Sequence, residues 1–190
     1  MTEPDFFADA TDGKPEPTKR MVAWVKRSTI YRLSRRMMTE HELVQAISRK
    51  AKEKFEDISE DEIEALTNIA LEFGRSLQVL DDKAYADIKR RSSIASGKSK
   101  RGIARKLAEK GVDRALITET LADTDDLLAA MIFARKRAFG PFRRLDADEK
   151  RRAKELSAFA RNGFSFDLAQ RVLSTDREDA EELIAEGRAL

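Results

Sequence analysis

Gly97-Lys98-Ser99 is the one stretch of this chain that carries the closing residues of a phosphate-binding loop. Such a loop also needs a glycine at the position held here by Ser92, and a strand leading into it. The residues before Gly97 read as helix, so the tripeptide reads as a turn between two helices. His41 is the only histidine and there is no cysteine, which leaves no ligand set for zinc. Flanked by Glu40 and Glu42 in a first helical turn, His41 reads as a solvated surface residue. Asp123, Asp125 and Asp126 lack the glycine and distal glutamate of a calcium loop. They suit the start of a helix, where carboxylates complement the dipole. No nucleophile stands beside a base. Catalysis is not expected, and no cofactor or metal is implied.

The side chains with the most to offer a partner are cationic. They come in three sets: Lys26, Arg27, Arg32, Arg35 and Arg36; then Lys89, Arg90, Arg91, Lys98, Lys100, Arg101, Arg105 and Lys106; then Arg135, Lys136, Arg137, Arg143 and Arg144, followed by Lys150, Arg151 and Arg152. The overall charge of +2 hides their segregation. Net charge is −4 over residues 1–17, +8 over 18–54, −8 over 55–82, +8 over 83–111, −4 over 112–132, +6 over 133–163 and −4 over 164–190. Two uses fit this alternation. Basic helices could lie against the acidic helix of a neighbouring segment, or they could face a partner such as a phosphate backbone.

Elements that position these charges are legible from capping and period. Asp81 and Ser99 open helices that Gly97 and Gly111 end, and a third helix runs from Asp113 to Leu121. The pattern recurs 52 positions later: Leu107-Ala-Glu-Lys-Gly111-Val112 matches Phe159-Ala-Arg-Asn-Gly163-Phe164, with Leu116 against Leu168 and Leu121 against Leu173. A looser copy lies upstream, with a helix from Lys19 to Arg36, a capping box at Thr39 and Glu42, and another at Ser59 and Glu62. Phe55 there takes the place of Val112 without a preceding glycine. Leu43, Ile47 and Ala51, then Ile63, Leu66, Ala70, Phe73 and Leu77, form apolar faces; Ala84, Tyr85, Ile88 and Ile94 do so in the central copy, and Leu127, Leu128, Met131, Ile132 and Ala134 in the last. Trp24, Tyr31, Phe73 and Phe133 belong to such stripes and read as core.

The third copy is expected to start near Thr124, to break at Gly140-Pro141, and to resume under a cap at Asp146 with Glu149; Ser165 opens its last helix, and Thr175 with Glu178 opens a short acidic helix ending at Gly187. The chain therefore reads as all-α, an array of three tandem three-helix repeats over residues 18–80, 81–122 and 123–175. Residues 1–17 read as a disordered acidic tail, and 176–190 as a C-terminal acidic helix. A 41% apolar and 38% charged composition suits thin layers better than one large core. The absence of cysteine, of a signal peptide and of any membrane-length apolar run points to a cytoplasmic protein, expected to be a monomer.

Leu80-Asp81-Asp82 with Tyr85-Ala86, continuing through Gly97-Lys98, Arg101, Ile103, Leu107 and Lys110-Gly111, resembles the middle repeat of the RecX family. Phe133 to Arg143 is similar to the third-repeat segment of its alphaproteobacterial branch. The resemblance covers roughly residues 20–175. It implies an elongated, curved array that binds the filament of the RecA recombinase and restrains recombination, ATP hydrolysis and coprotease activity in DNA repair. The first copy departs by lacking the glycine, and the third by inserting Arg143 to Ala147. A second reading from the residues is a stand-alone DNA- or RNA-binding helical protein, such as a transcription regulator, with paired short helices about Gly97 or Gly111.

Overall fold

The computed structural model describes residues 16–189; the expected tail over residues 1–17 lies, through residue 15, outside the described residues. Ten α-helices and one 3-10 turn succeed one another, with no strand among the described residues. They are α1 (Lys19–Leu33), α2 (Glu40–Lys54), α3 (Glu60–Ser76), α4 (Asp82–Ala95), α5 (Lys100–Glu109), α6 (Arg114–Thr120), α7 (Asp126–Arg137), the turn Gly140–Phe142, α8 (Glu149–Arg161), α9 (Phe166–Ser174) and α10 (Arg177–Ala189). No helix among the described residues is long and apolar enough to cross a membrane.

Short polar side chains open these helices. Thr18 accepts from the Met21 N–H, and Ser59 and Glu62 close the reciprocal box expected of them. Asp81, Ser99, Asp113, Asp125 and Ser165 cap α4, α5, α6, α7 and α9. Two caps differ from expectation. Asp148 rather than Asp146 opens α8. Asp176, accepting from the Asp179 N–H, takes the capping place expected of Thr175, because the Thr175 hydroxyl is donated to the Arg171 carbonyl at the end of α9.

Three small cores replace a single large one. In the first, Val25, Leu43, Ile47, Ala51, Ile63, Leu66, Ala70 and Leu80 are buried between α1, α2 and α3, with Trp24 edge-on to Phe55 at 5.2 Å. Tyr85, Ala86, Ile103, Leu107, Val112, Ile117 and Leu121 form the second, within α4 to α6. The third is aromatic: Phe133, Phe159 and Phe164 meet at centroid distances of 5.0–5.6 Å beneath α7 and α9. By contacts the chain divides into two compact units, one of residues 1–38 and 42–80, the other of residues 39–41 and 81–190.

Several residues expected inside lie outside. Tyr31 is 58% exposed, and Leu77 and Ile88 are also exposed. Each falls near the edge of its stripe: α1 ends at Leu33 rather than Arg36, and α4 turns Tyr85 and Ala86 inward. The C-terminal helix is more integrated than its acidity suggests. Ala180 and Ile184 of α10 are fully buried in the aromatic core, with Arg177, Glu178, Asp179, Glu182 and Glu186 exposed.

Candidate functional site

A hydroxyl at the start of α5 fixes where its basic face points. Ser99, 1% exposed, accepts from the Gly102 N–H at 3.1 Å and donates to the Asn162 carbonyl at 2.6 Å. Next to it, the Lys100 N–H donates to Asp126 at 2.5 Å. Burial pushes the Asp126 carboxyl up, and that N–H only partly offsets the effect. The same joint is built 60 residues earlier. The Thr39 hydroxyl donates to the Lys110 carbonyl at 2.6 Å, and the Glu40 N–H to Asp82 at 2.9 Å; residues 39–41 group with α4 to α10 by contacts. In both joints the accepting carbonyl precedes a glycine with positive φ, +74° at Gly111 and +88° at Gly163. A Cβ on Gly111 would lie 2.3 Å from the His41 ring, and one on Gly163 would lie 2.6 Å from the Ser99 hydroxyl. Glycine is therefore required twice over, by backbone and by space.

This joint leaves a groove of about 680 Å³ between α4, α5 and the end of α8. Lys89, Lys98, Arg101, Arg105, Lys106 and Arg161 line it, with Glu109 as the single carboxylate. Ser92, Ser93, Ser96, Gly102 and Gly163 supply the rest of a polar wall. Lys98, Arg101, Lys106 and Arg161 have neither an ion pair nor a side-chain hydrogen bond among the described residues. Arg105 reaches only Glu109 of its own helix at 3.7 Å, both exposed, and such pairs contribute little. Lys89 lies 5.4 Å from the centre of the Tyr85 ring. The basic face of α5 is thus not neutralised by an acidic helix among the described residues.

The other basic residues are spread over both units and several roles. Arg90 pairs loosely with Asp87 at 3.6 Å, Arg91 is exposed, and the Lys100 ammonium is donated to the Ala122 carbonyl. In α1, Lys26 sits over the Phe73 ring and Arg27 is exposed. Arg32, Arg35 and Arg36 line a second groove of about 450 Å³ with Arg49, where Arg36 reaches Glu42 at 3.3 Å and Arg35 donates to the Tyr31 hydroxyl. Arg135 pairs with Glu181 of α10 at 3.2 Å, Lys136 donates to the Ser96 carbonyl, and Arg137 lies over Phe133. Arg144 is exposed.

Arg143 is the exception, because it is engaged inside the fold. Its side chain is 13% exposed, and its Nε and Nη2 donate to the carboxylate of Glu155 at 2.5–3.0 Å. Glu155, 2% exposed, also accepts from the Gly140 N–H at 3.3 Å. Burial pushes the Glu155 carboxyl up, but the Arg143, Gly140 and Arg151 donors outweigh it and hold it below the ordinary glutamate value. Hydrogen bonding to that carboxylate raises Arg143 in turn. Period and capping do not single out Glu155; the 52-residue repeat could have found it, since it stands where Ile103 stands in the second core.

The family model described as "RecX, second three-helix domain" matches residues 81–121, the span of α4 to α6. The "Regulatory protein RecX" of Agrobacterium fabrum is 55% identical over 171 residues, covering 90% of this chain and 93% of that protein. The one from Myxococcus xanthus is 32% identical over 171 residues, covering 86% and 91%. The crystal structure of RecX from Lactobacillus salivarius superposes with a TM-score of 0.64 at 19% identity, over 87% of this chain and 99% of that one. A second crystal structure of a RecX regulatory protein gives 0.62 at 26% identity, over 82% and 74%. With its tandem three-helix fold and relatives of this similarity over most of their length, the chain belongs to the RecX family of regulatory proteins.

Proposed function

We propose that this protein binds RecA recombinase filaments and inhibits recombination, ATP hydrolysis and coprotease activity by occupying the filament rather than by chemistry. Family membership supplies the regulatory role. The surface is supported by one observation above the rest: α5 presents Arg101, Lys106 and the adjoining Lys98 with no intrachain partner among the described residues. The working division is three repeats, 18–80, 81–122 and 123–175, each a few helices thick, acting as a monomer in the cytoplasm. Linked weak contacts from such repeats raise avidity without a single tight site.

The test is recombinase-driven ATP hydrolysis and strand exchange on single-stranded DNA, with this protein titrated in. Inhibition is expected below one protein per recombinase subunit, weakening as salt rises. No change in either activity, together with no co-sedimentation with filaments, refutes the reading.

A further inference from the structure

The groove beside α5 has a counterpart in the first unit. The joints align Thr39 with Ser99 and Glu40 with Lys100, an offset of 60 residues. At the same offset the lining of the first groove falls on that of the second: Arg32 on Ser92, Arg36 on Ser96, Met38 on Lys98, Gln45 on Arg105 and Arg49 on Glu109. The slot is the same, between the first and second helices of a repeat. The charges are not at the same positions. The first copy is made basic by Arg32, Arg35, Arg36 and Arg49 against Glu42, the second by a different set against Glu109. A shared slot that is cationic by unrelated residues points to a shared anionic ligand and not to a shared packing requirement.

We propose that these two grooves are copies of one device that takes the phosphodiester backbone of single-stranded nucleic acid. In the Arg32 copy the guanidinium Nε is buried without a hydrogen-bond partner, a donor left over by the fold. The α5 copy offers no seat for a protein anchor: its apolar lining is Ile103, 2% exposed, and Ala160. Protein interfaces rely on buried aromatic or aliphatic anchors, whereas backbone contacts to nucleic acid need only cations, hydroxyls and N–H groups. Neither groove carries a platform of stacked aromatics. Tyr31, with Arg35 across its ring at 5.3 Å, is the one aromatic side chain lining either. Binding should therefore ignore base identity. A slot sunk between helices admits a flexible strand, while a stiff duplex meets only its rim. This inference rests on the filament reading only in supplying the strand, that of the filament itself, and it is testable without recombinase.

The experiment measures fluorescence anisotropy of a labelled oligo-dT strand, and of the same length of duplex, against the full chain over a salt series. The variants are K98Q/R101Q/K106Q in the second groove and R35Q/R49Q in the first. Each single-strand phosphate contact contributes about 0.7 to the slope of log affinity on log salt. The triple variant should lower that slope by about 2 and the affinity about tenfold or more, the double variant should lower the slope by about 1.4, and K98R/R101K/K106R should bind like the parent. Thermal transitions by circular dichroism should coincide for all four proteins. An unchanged slope in the triple variant, or duplex bound more tightly than oligo-dT, overturns the proposal. A parent that ignores oligo-dT yet co-sediments with recombinase filaments overturns it too, and leaves the filament reading standing.

Discussion

Replacing Glu155 by leucine restores the residue class found at the equivalent sites, Leu43 and Ile103, both buried. Here it should nevertheless be costly. The Arg143 guanidinium would lose the carboxylate it donates to, and the Gly140 N–H would lose its acceptor. Removing one partner of a buried ion pair costs about 3–5 kcal/mol. Arg143 retains some exposure and can partly swing to water, so the lower end, about 3 kcal/mol, is expected for E155L. Adding R143M removes the stranded charge and should return about 2 kcal/mol, the remainder being the orphaned N–H at about 1 kcal/mol. The assay is urea unfolding measured at 222 nm for parent, both single variants and the double. The pH dependence carries a second check. The folded-state carboxyl lies below its unfolded value, so its contribution is complete above the ordinary glutamate pKa and is lost as pH falls through the folded one. Parent stability should therefore fall more steeply than that of E155L as the solution is acidified below about pH 5. An E155L variant within about 1 kcal/mol of the parent, or a double variant less stable than E155L, would sink the argument.

Four further outcomes are expected. Gly111→Val should cost about 2–4 kcal/mol, from a β-branched residue at φ +74° and from collision with His41, and His41→Ala in that background should recover part of it; equal melting temperatures for the three proteins would contradict the joint. Ser99→Ala should cost about 2 kcal/mol, combining a lost cap with an unsatisfied Asn162 carbonyl, measured by the same urea titration. R101Q/R105Q/K106Q should stay within about 0.5 kcal/mol of the parent while filament binding and its salt dependence fall, and loss of fold without a separate binding defect would decide against a partner-facing α5. Truncation after Asp176 should destabilise by about 2–3 kcal/mol or more, because Ala180 and Ile184 leave the aromatic core, and an unchanged thermal transition would show α10 to be an appendage.

Much of the fold is legible in the sequence because each repeat is specified locally. Caps at Ser59, Asp81, Ser99, Asp113 and Ser165, and the turns at Gly111 and Gly163, lie within a few residues of the elements they control. The features that sequence reading misses are nonlocal. A capping hydroxyl reads the same whether or not it also donates to a carbonyl 63 residues away, as Ser99 does to Asn162. A basic residue reads the same whether it faces solvent, as Arg101 does, or is consumed by a buried carboxylate, as Arg143 is. Tyr31 fails as a core residue for a related reason: period assigns a face to a helix, but not how far along that face the neighbours extend.

The distribution of these joints explains why the third repeat departs from the other two. An internal repeat in a stack is stabilised by its next neighbour, and the terminal one must be closed by something else. The second helices α2 and α5 each open on a hydroxyl that reaches the end of the next such helix, at Lys110 and at Asn162. Among the described residues α8 makes no such bond, and it opens instead on Asp148, with no hydroxyl to donate. Two additions stand there: the turn Gly140–Phe142 with its Arg143–Glu155 pair, and α10 packed on α7 and that turn. A charged pair at an otherwise apolar position adds little stability of its own, since a hydrophobic residue of similar volume serves as well. Its Gly140 and Arg143 donors do something leucine cannot, which is to tie the inserted segment to α8 in one register. The residues that break the repeat pattern are thus the ones that hold the inserted turn on α8.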